Sequence, residues 1–264
     1  MVNLRASLPE FRAVEVPFVI LFQGRAGSSH FCSLLDSHSS IHCWMELFST
    51  PDKNRKNRRA TLPDEAASAS MLMRVYSKVV NYQKNVTAAG FKLKPHQWEI
   101  YPEVRNFLRE NNDMVSAIEL DREQTLQMAI SSQVKKLSPD EFDRKHNIAK
   151  DRRRKAEIRP IKIDMEEFNN FLLGAVSRQK QIRTLAREFS KNIRVTYSDL
   201  VDKQSETLRS VCSFLNVKFE ESMTSGFQKA VTQPYPEIIS NYDEVVEFVE
   251  QSEFANQLHE ILDQ

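Results

Sequence analysis

The sequence predicts an α/β fold in which a central, mostly parallel sheet has helices on both faces. Three observations predict it: short apolar runs of strand length, segments with helical apolar spacing between them, and a glycine-bearing turn after the first run. Strands that alternate with helices are joined by crossovers, which makes neighbouring strands parallel. With 264 residues, 41% of them hydrophobic, the chain can bury a sizeable core, and we expect residues 1–264 to form a single domain.

The elements can be assigned in order along the chain. The predicted strands are residues 17–22, 86–93, 114–120 and 193–197. The predicted helices are residues 31–36, 101–110, 126–134 and 208–215, together with a long helix that begins at Asp164. Asp164 is expected to cap that helix, with Glu167 three residues on in a capping-box-like arrangement. The charged segments 51–70 and 138–160 lack apolar periodicity, so we expect surface excursions there.

Composition excludes several classes of protein. The net charge of +1 gives no overall attraction to nucleic acid or to a membrane surface, so an anion site must be local. No apolar stretch is long enough to span a bilayer, and residues 1–17 lack the apolar core of a signal peptide. Cys32, Cys43 and Cys212 are an odd number without CxxC spacing, which favours reduced thiols in a cytoplasmic protein.

The turn at residues 23–30, QGRAGSSH, has the composition of a phosphate-binding loop. Glycine permits positive φ and a close approach of the backbone to a ligand, and the following helix N-terminus presents free N–H groups to an anion. An arginine and two hydroxyls add donors. The residues concerned are Gly24, Arg25, Gly27, Ser28 and Ser29. The loop is not GxxxxGK[ST], which argues against hydrolysis of a magnesium nucleotide, and a tight turn with capping serines is the structural alternative.

Several ordered segments carry a resemblance. FVILFQGRAGSSHFCSLLDSH resembles the 5′-phosphosulfate loop of PAPS-dependent sulfotransferases (PAPS is 3′-phosphoadenosine 5′-phosphosulfate), closest to the bacterial glycolipid, trehalose and nodulation-factor group. GFKLKPHQW, AIELDREQTLQMAISS, VTYSDLVDKQSETLRSVCSFLNV and IISNYDEVVEFV are similar to later segments of the same family. The resemblance covers most of the chain. It implies a P-loop-NTPase-like three-layer sandwich that moves the sulfuryl group of PAPS, without a metal, to a hydroxyl of a carbohydrate, glycolipid or small natural product, leaving 3′-phosphoadenosine 5′-phosphate (PAP).

The resemblance also implies roles for individual residues. Arg122 and Ser131 would hold the 3′-phosphate, with Ser132 as an alternative to Ser131. Lys229 matches a lysine of the loop that covers the cofactor. The residues that would hold the 5′-phosphosulfate are Gly24, Arg25, Ala26, Gly27, Ser28, Ser29 and His30.

Two residues are candidates for the base that accepts the proton of the acceptor hydroxyl. Glu46, in WMELF, stands where the bacterial glycolipid branch has its glutamate, and we favour it because the surrounding resemblance is closer to that branch. His96, in Lys94-Pro-His96, stands where the small-molecule enzymes have a histidine. Lys92 or Lys94 would neutralise the transferring group. Taken alone, a solvated carboxylate at Glu46 and a histidine with its hydrogen bonds satisfied in a turn at His96 are the more common situations.

Other interpretations remain open at this stage. His38, His42 and Cys43 suggest zinc, but no second cysteine pair or HExxH motif accompanies them. The basic run 151–155 lacks the interleaved aromatic residues of a nucleic-acid site; with Arg55, Arg58 and Arg59 it would instead steer an acidic acceptor. A small-molecule kinase and a non-catalytic nucleotide-binding relative are the alternative functions. A homodimer through the helix at 168–189 is compatible with the sequence.

Overall fold

A five-stranded, entirely parallel sheet forms the centre of the molecule. The computed structural model describes residues 14–48, 65–77, 85–146 and 157–262. The strands are β1 (Val16–Phe22), β2 (Ile41–Trp44), β3 (Ala88–Leu93), β4 (Ser116–Asp121) and β5 (Asn192–Thr196). Their order across the sheet is β2-β3-β1-β4-β5. The chain therefore places strands on either side of β1, and the crevice beside the carboxyl end of such a strand is where open parallel sheets bind ligands.

Twelve α-helices occur in the described residues, with a short 3₁₀ turn at Ala255–Gln257. The first six are α1 (Ser28–Asp36), α2 (Glu65–Tyr76), α3 (Pro95–Ile100), α4 (Pro102–Glu110), α5 (Thr125–Leu137) and α6 (Pro139–His146). The others are α7 (Met165–Ala186), α8 (Tyr197–Asp202), α9 (Gln204–Phe214), α10 (Tyr235–Ile238), α11 (Tyr242–Glu250) and α12 (His259–Leu262). None of these helices is both long and apolar enough to cross a bilayer.

The sheet separates two apolar clusters. β1 is buried on both sides because its side chains alternate between them: Val19 and Leu21 face one, Phe18 and Ile20 the other. The first cluster packs the sheet against α2, α3, α4 and the C-terminal half of α7. The second cluster packs it against α1, α8 and α9. These layers confirm the predicted fold class, a three-layer α/β sandwich of the P-loop type.

A third apolar cluster lies beyond the sheet. It joins α5, α6 and the N-terminal half of α7 to α10, α11 and α12. The backbone of Ile161 pairs with the chain at 238–240, with Ile161 N donating to Ile238 O at 2.9 Å. The Asn241 side chain accepts from Ile163 N at 2.8 Å and donates to Ile163 O at 3.0 Å. The NYDEV stretch singled out in the sequence therefore fastens two distant segments of this cluster together.

The predicted elements agree with the observed ones at most positions. All four predicted strands exist, and Asp164 caps α7 by accepting from Glu167 N at 3.0 Å. The Glu167 carboxylate does not return that contact; it accepts from Lys136 on α5, at 2.6 Å to Oε2. The edge strand β2 was not predicted, because its four residues are buried only alternately. Residues 65–70 and 139–146 are helical, whereas no regular element was expected there.

Candidate active site

The loop between β1 and α1 bends through two residues with positive φ, Arg25 at 70° and Gly27 at 81°. Glycine is required at Gly27, since a Cβ there would lie 2.6 Å from Cδ2 of Tyr197. Gly24 does not need the freedom of glycine: its φ is not positive, and a Cβ would meet no atom within 4 Å. Of the two glycines in the loop, only Gly27 uses the positive φ that glycine permits, and Arg25 also adopts a positive φ.

A cavity of about 310 Å³ opens at this loop. Its walls come from the loop and α1, from β4–α5, from α6, from β5–α8 and from the chain at 228–235. The predicted residues that line it are Arg25, Gly27, Ser28, Ser29, His30, Arg122, Ser131 and Lys229. The structure thus brings together eight of the ten residues assigned to the cofactor. Gly24 and Ala26 do not line the cavity, and the Ala26 side chain is fully buried in the second cluster.

Arg122 is a buried arginine that lines this cavity. Its Nη1 donates to the backbone oxygen of Arg25 at 2.9 Å, and its Nη2 donates to Gln127 Oε1 at 2.9 Å. The guanidinium stacks on the ring of Tyr197, 4.1 Å from the ring centroid. Its Nε is buried without a hydrogen-bond partner in the described part of the chain. Burial lowers the pKa of Arg122, and it contacts no carboxylate there, so it retains capacity for an external anion.

Arg25 reaches the cavity from the loop itself. Its guanidinium lies over the Phe142 ring of α6, 4.8 Å from the centroid. Burial lowers the pKa of Arg25, although the charges of Asp143 and Glu46 oppose that shift. The N-terminus of α1 follows directly, and Gly27 has no side chain with which to cap it. Its first amide groups and Arg25 border the same cavity, and each can donate hydrogen bonds to an anion there.

The other residues predicted to bind the cofactor differ in whether they line the cavity. Ser131 lines the cavity, whereas Ser132 lies in a separate surface groove with Lys136 and Glu167. His30 Nδ1 is 3.1 Å from the backbone oxygen of Phe227, which fastens the segment carrying Lys229 to α1. Burial and the charge of Arg122 lower the pKa of Lys229. This arrangement favours Ser131 over Ser132 as a ligand for an anion in the cavity.

Lys92 is a buried lysine near the end of β3 that serves the phosphate loop. Its Nζ donates to Ser29 Oγ at 3.1 Å and to Ser28 Oγ at 3.4 Å. The same ammonium lies 3.7 Å from Glu46 Oε1. β3 pairs with β1 with Lys92 beside Ile20, so the sheet register places this cation next to the loop. Burial lowers its pKa, while the charge of Glu46 raises it.

Glu46 lies between two lysines. Lys94 Nζ donates to Glu46 Oε2 at 2.7 Å. Burial alone would raise the pKa of Glu46, but Lys94, Lys92 and His96 together lower it below its usual value. β3 ends at Leu93, so Lys94 does not continue the strand face of Lys92, as it would in a longer strand; it precedes α3 and reaches the same carboxylate from there.

His96, the second candidate base, is exposed on the first turn of α3. Burial, the charge of Lys94 and the charge of Arg178 lower its pKa, and Glu46 partly opposes them. Its imidazole is therefore neutral at neutral pH. The two candidate bases thus share the neighbourhood of Lys94, outside the cavity lined by Arg122.

The three residues that suggested zinc have other partners. His38 Nε2 is 2.8 Å from Lys218 O and its Nδ1 accepts from Ser40 N at 2.9 Å. His42 Nδ1 is 2.6 Å from Asp36 Oδ1, and Cys43 lies beside Cys32 with 2.8 Å between the sulfur atoms. Among the described residues, no group of histidines, cysteines and carboxylates could hold a metal ion. Arg55, Arg58, Arg59 and the basic run 151–155 lie outside the described residues.

Several cavity residues were not predicted from the sequence. Tyr197 and Tyr235 line the cavity near Arg122, Gln127 accepts from Arg122, and Phe142 supports Arg25. Burial raises the pKa of Tyr235, whereas the charge of Arg122 lowers it. Tyr197 is the last residue of a predicted strand and directly follows the observed β5, and that position was a usable signal; nothing local to the sequence marks the other three.

Comparisons with known proteins give structural likeness only. No family model matches the chain, and no curated protein does. The sulfotransferase domain of the Synechococcus PCC 7002 olefin synthase is 15% identical, over 85% of this chain and 82% of that one, with a TM-score of 0.47. A sulfotransferase from Alicyclobacillus acidocaldarius is 15% identical over 92% and 93%, with a TM-score of 0.47. A mouse sulfotransferase complexed with PAP is 12% identical over 95% and 90%, with a TM-score of 0.44.

Proposed function

We propose that this protein is a sulfotransferase that moves the sulfuryl group of PAPS to an acceptor hydroxyl. The observation that carries the proposal is that Lys92 contacts both the phosphate loop and Glu46. One ammonium lies 3.1 Å from Ser29 Oγ in the phosphate loop and 3.7 Å from Glu46 Oε1. A group bound at the loop would therefore adjoin both a cation and a carboxylate. Sulfuryl transfer requires this combination, since charge leaves with the nucleotide and a proton leaves the acceptor.

The residues present suit a ligand with anions at both ends. The uncapped N-terminus of α1 and Arg25 would hold the 5′ end, and Arg122, Ser131 and Lys229 would hold the 3′-phosphate. Arg122 fits a phosphate because its Nε has no hydrogen-bond partner in the described residues and none of its hydrogen bonds there goes to a carboxylate, although the charge of Glu260 acts on it. A cavity of about 310 Å³ falls within the range of small-molecule sites.

When bound, PAPS would supply an activated sulfuryl group whose bond to the bridging phosphate oxygen breaks during transfer. Residues of the chain would accept the acceptor's proton and stabilise the negative charge on the leaving nucleotide. Glu46 is deprotonated at neutral pH because its neighbouring cations lower its pKa, so it can accept the acceptor's proton. Lys92 would oppose the negative charge that develops on the nucleotide side. We retain His96 as the second candidate base, because it is neutral and adjoins the same lysine.

Within this proposal the acceptor is a carbohydrate, a glycolipid or a small natural product, and the protein works in the cytoplasm. Its three cysteines are buried, free thiols, as a reducing compartment requires. We also propose that a homodimer would use α7, on which Leu173 and Val176 are exposed.

Calorimetry with PAP, ADP and ATP, in EDTA and in magnesium, tests the proposal. We expect PAP to bind more tightly than ADP in EDTA, because only PAP carries the 3′-phosphate. Arg122→Ala should weaken PAP by roughly 10- to 100-fold, the usual range for a hydrogen bond to a charged group, and ADP far less. Arg109→Ala is the matched control, because Arg109 pairs with Glu188 on the surface. Equal binding of PAP and ADP, or preferential binding of magnesium ATP, would refute the proposal.

Transfer is tested with ³⁵S-labelled PAPS and a panel of hydroxyl acceptors in EDTA. Glu46→Gln should reduce kcat by about 10²- to 10⁴-fold, the usual contribution of a general base, while the Kd of PAP is retained. His96→Gln is the companion variant. If His96→Gln alone removes activity, the histidine is the base. Tight PAP binding without transfer to any acceptor would favour a non-catalytic nucleotide-binding protein.

A further inference from the structure

Arg178, on α7, is a half-buried arginine. Its Nη2 donates only a long hydrogen bond, 3.4 Å, to the backbone oxygen of Phe171. Its guanidinium lies over the ring of the same residue, 5.3 Å from the centroid. Among the residues that the structure describes, no carboxylate contacts it. Burial lowers its pKa, and no neighbouring acid offsets that shift.

The neighbouring arginines show what a structural arginine looks like in this protein. Arg183, one turn further along α7, donates to Glu119 Oε1 at 3.3 Å and Asp121 Oδ2 at 3.1 Å. Arg194 contacts the same two buried carboxylates. The other two arginines whose pKa is lowered by burial are Arg25 and Arg122, and both line the nucleotide cavity. No ion pair joins Arg178, Arg25 or Arg122 to a carboxylate of the described residues, although the charges of Asp143 and Glu46 act on Arg25 and that of Glu260 acts on Arg122.

Arg178 does not line the cavity proposed to hold the nucleotide. α7 lies beside α3, where Gln181 Nε2 donates to Glu99 Oε1 at 3.0 Å. Arg178 lies three residues before Gln181 on α7, and His96 lies three residues before Glu99 on α3. Each therefore shares a helix face with one member of this hydrogen-bonded pair. The charge of Arg178 also contributes to the lowered pKa of His96. Arg178 therefore lies near His96, the second candidate base, and outside the cavity proposed to hold the nucleotide.

The helix makes room for this guanidinium with a glycine. Gly174 lies one turn before Arg178, and a Cβ there would lie 2.5 Å from Nη1. Glycine inside a helix costs about 1 kcal/mol relative to alanine, so a functional or packing reason is expected for it. Here it lets the guanidinium lie against the helix surface, close to Phe171.

We propose that Arg178 binds an anionic oxygen group, a carboxylate or a sulfate, carried by the acceptor, and thereby selects acidic acceptors. The inference rests on the proposed sulfotransferase activity. The planar fork of arginine matches two oxygens of such a group, and the aromatic ring behind it holds the fork in place. The acceptor's hydroxyl would then be presented to Glu46 from the side opposite the nucleotide.

The test measures binding of matched probes to the full chain loaded with PAP, so that turnover is not required. One pair is methyl β-glucuronide and methyl β-glucoside; the other is 4-hydroxyphenylacetate and 4-hydroxyphenylacetamide. We expect the acid of at least one pair to bind about 10-fold or more tightly than its neutral partner. Arg178→Gln should remove that preference, and Arg178→Lys should restore part of it, since lysine keeps the charge but not the fork. Arg109→Gln serves as the control variant.

The outcomes separate the two proposals. If PAP does not bind the wild type, the proposed function fails. If PAP binds equally to wild type and Arg178→Gln, and the acids bind no better than the neutral probes, this inference alone fails. An acid preference that survives in Arg178→Gln would also overturn it, because the anion would then be held elsewhere. Thermal melting of both Arg178 variants reports whether the fold is intact.

Discussion

Replacing Gly27 with alanine should destabilise the protein by about 2–5 kcal/mol and remove nucleotide binding. Two costs combine at this residue. A residue with a Cβ pays roughly 1–2 kcal/mol for a left-handed conformation, and Gly27 has a φ of 81°. The new methyl group would also lie 2.6 Å and 2.8 Å from two carbons of the Tyr197 ring. Overpacking of that kind costs about 1–3 kcal/mol.

The clash should reach the cavity lined by Arg122 through Tyr197. Its ring supports the Arg122 guanidinium at 4.1 Å, so a displaced ring moves the arginine proposed to bind the 3′-phosphate. Urea unfolding at constant slope measures the stability loss, and calorimetry with PAP measures the binding loss. Gly24→Ala is a matched control in the same loop, since no atom lies within 4 Å of a Cβ there, and its stability should change by less than about 0.5 kcal/mol.

A double-mutant cycle separates the two costs. Gly27→Ala combined with Tyr197→Ala should recover the part due to the ring contact, leaving the cost of the left-handed backbone. The reasoning is refuted if Gly27→Ala is as stable as Gly24→Ala. It is also refuted if the effects of the two substitutions are additive, because the ring would then play no part in the clash.

Three further substitutions test individual contacts. Asp164→Ala should lower the free energy of unfolding by about 1 kcal/mol, measured by urea, because α7 loses its N-cap hydrogen bond; an unchanged midpoint would contradict the capping role. Ser131→Ala should weaken PAP binding by about 2- to 10-fold relative to ADP, whereas Ser132→Ala should leave both unchanged; the reverse result would reassign the ligand. Lys94→Met removes a cation that lowers the pKa of Glu46, so the acidic limb of the kcat/KM profile, where the base becomes protonated, should move to higher pH; an unmoved limb would argue against Glu46 as base.

The sequence was most informative where a local pattern determines the structure. β1 is an apolar run because both of its faces are buried, and the loop after it carries the glycine that a positive φ requires. The fold class followed from these patterns. β2 did not, because an edge strand of four residues has too little apolar pattern to be recognised. α6 was missed because a single buried aromatic residue, Phe142, holds it against Arg25.

The candidate site depended more on distant contacts than the fold did. Arg122 and Ser131 were predicted through a resemblance, and the structure brings both to the cavity. Lys92 was an alternative for the cation, but its contact with Ser29 depends on strand register, which the sequence does not display. Tyr235 reaches the cavity from a segment far along the chain, so only its neighbours in space reveal that it lines the cavity.

The cavity lined by Arg122 lies where the second and third apolar clusters meet. Leu200 on one wall belongs to the second cluster, while Ala230, Val231 and Tyr235 on the facing wall belong to the third. A ligand that fills this space would contact side chains of both clusters. Such a ligand should therefore stabilise both clusters against unfolding, and the melting temperature should rise with its concentration.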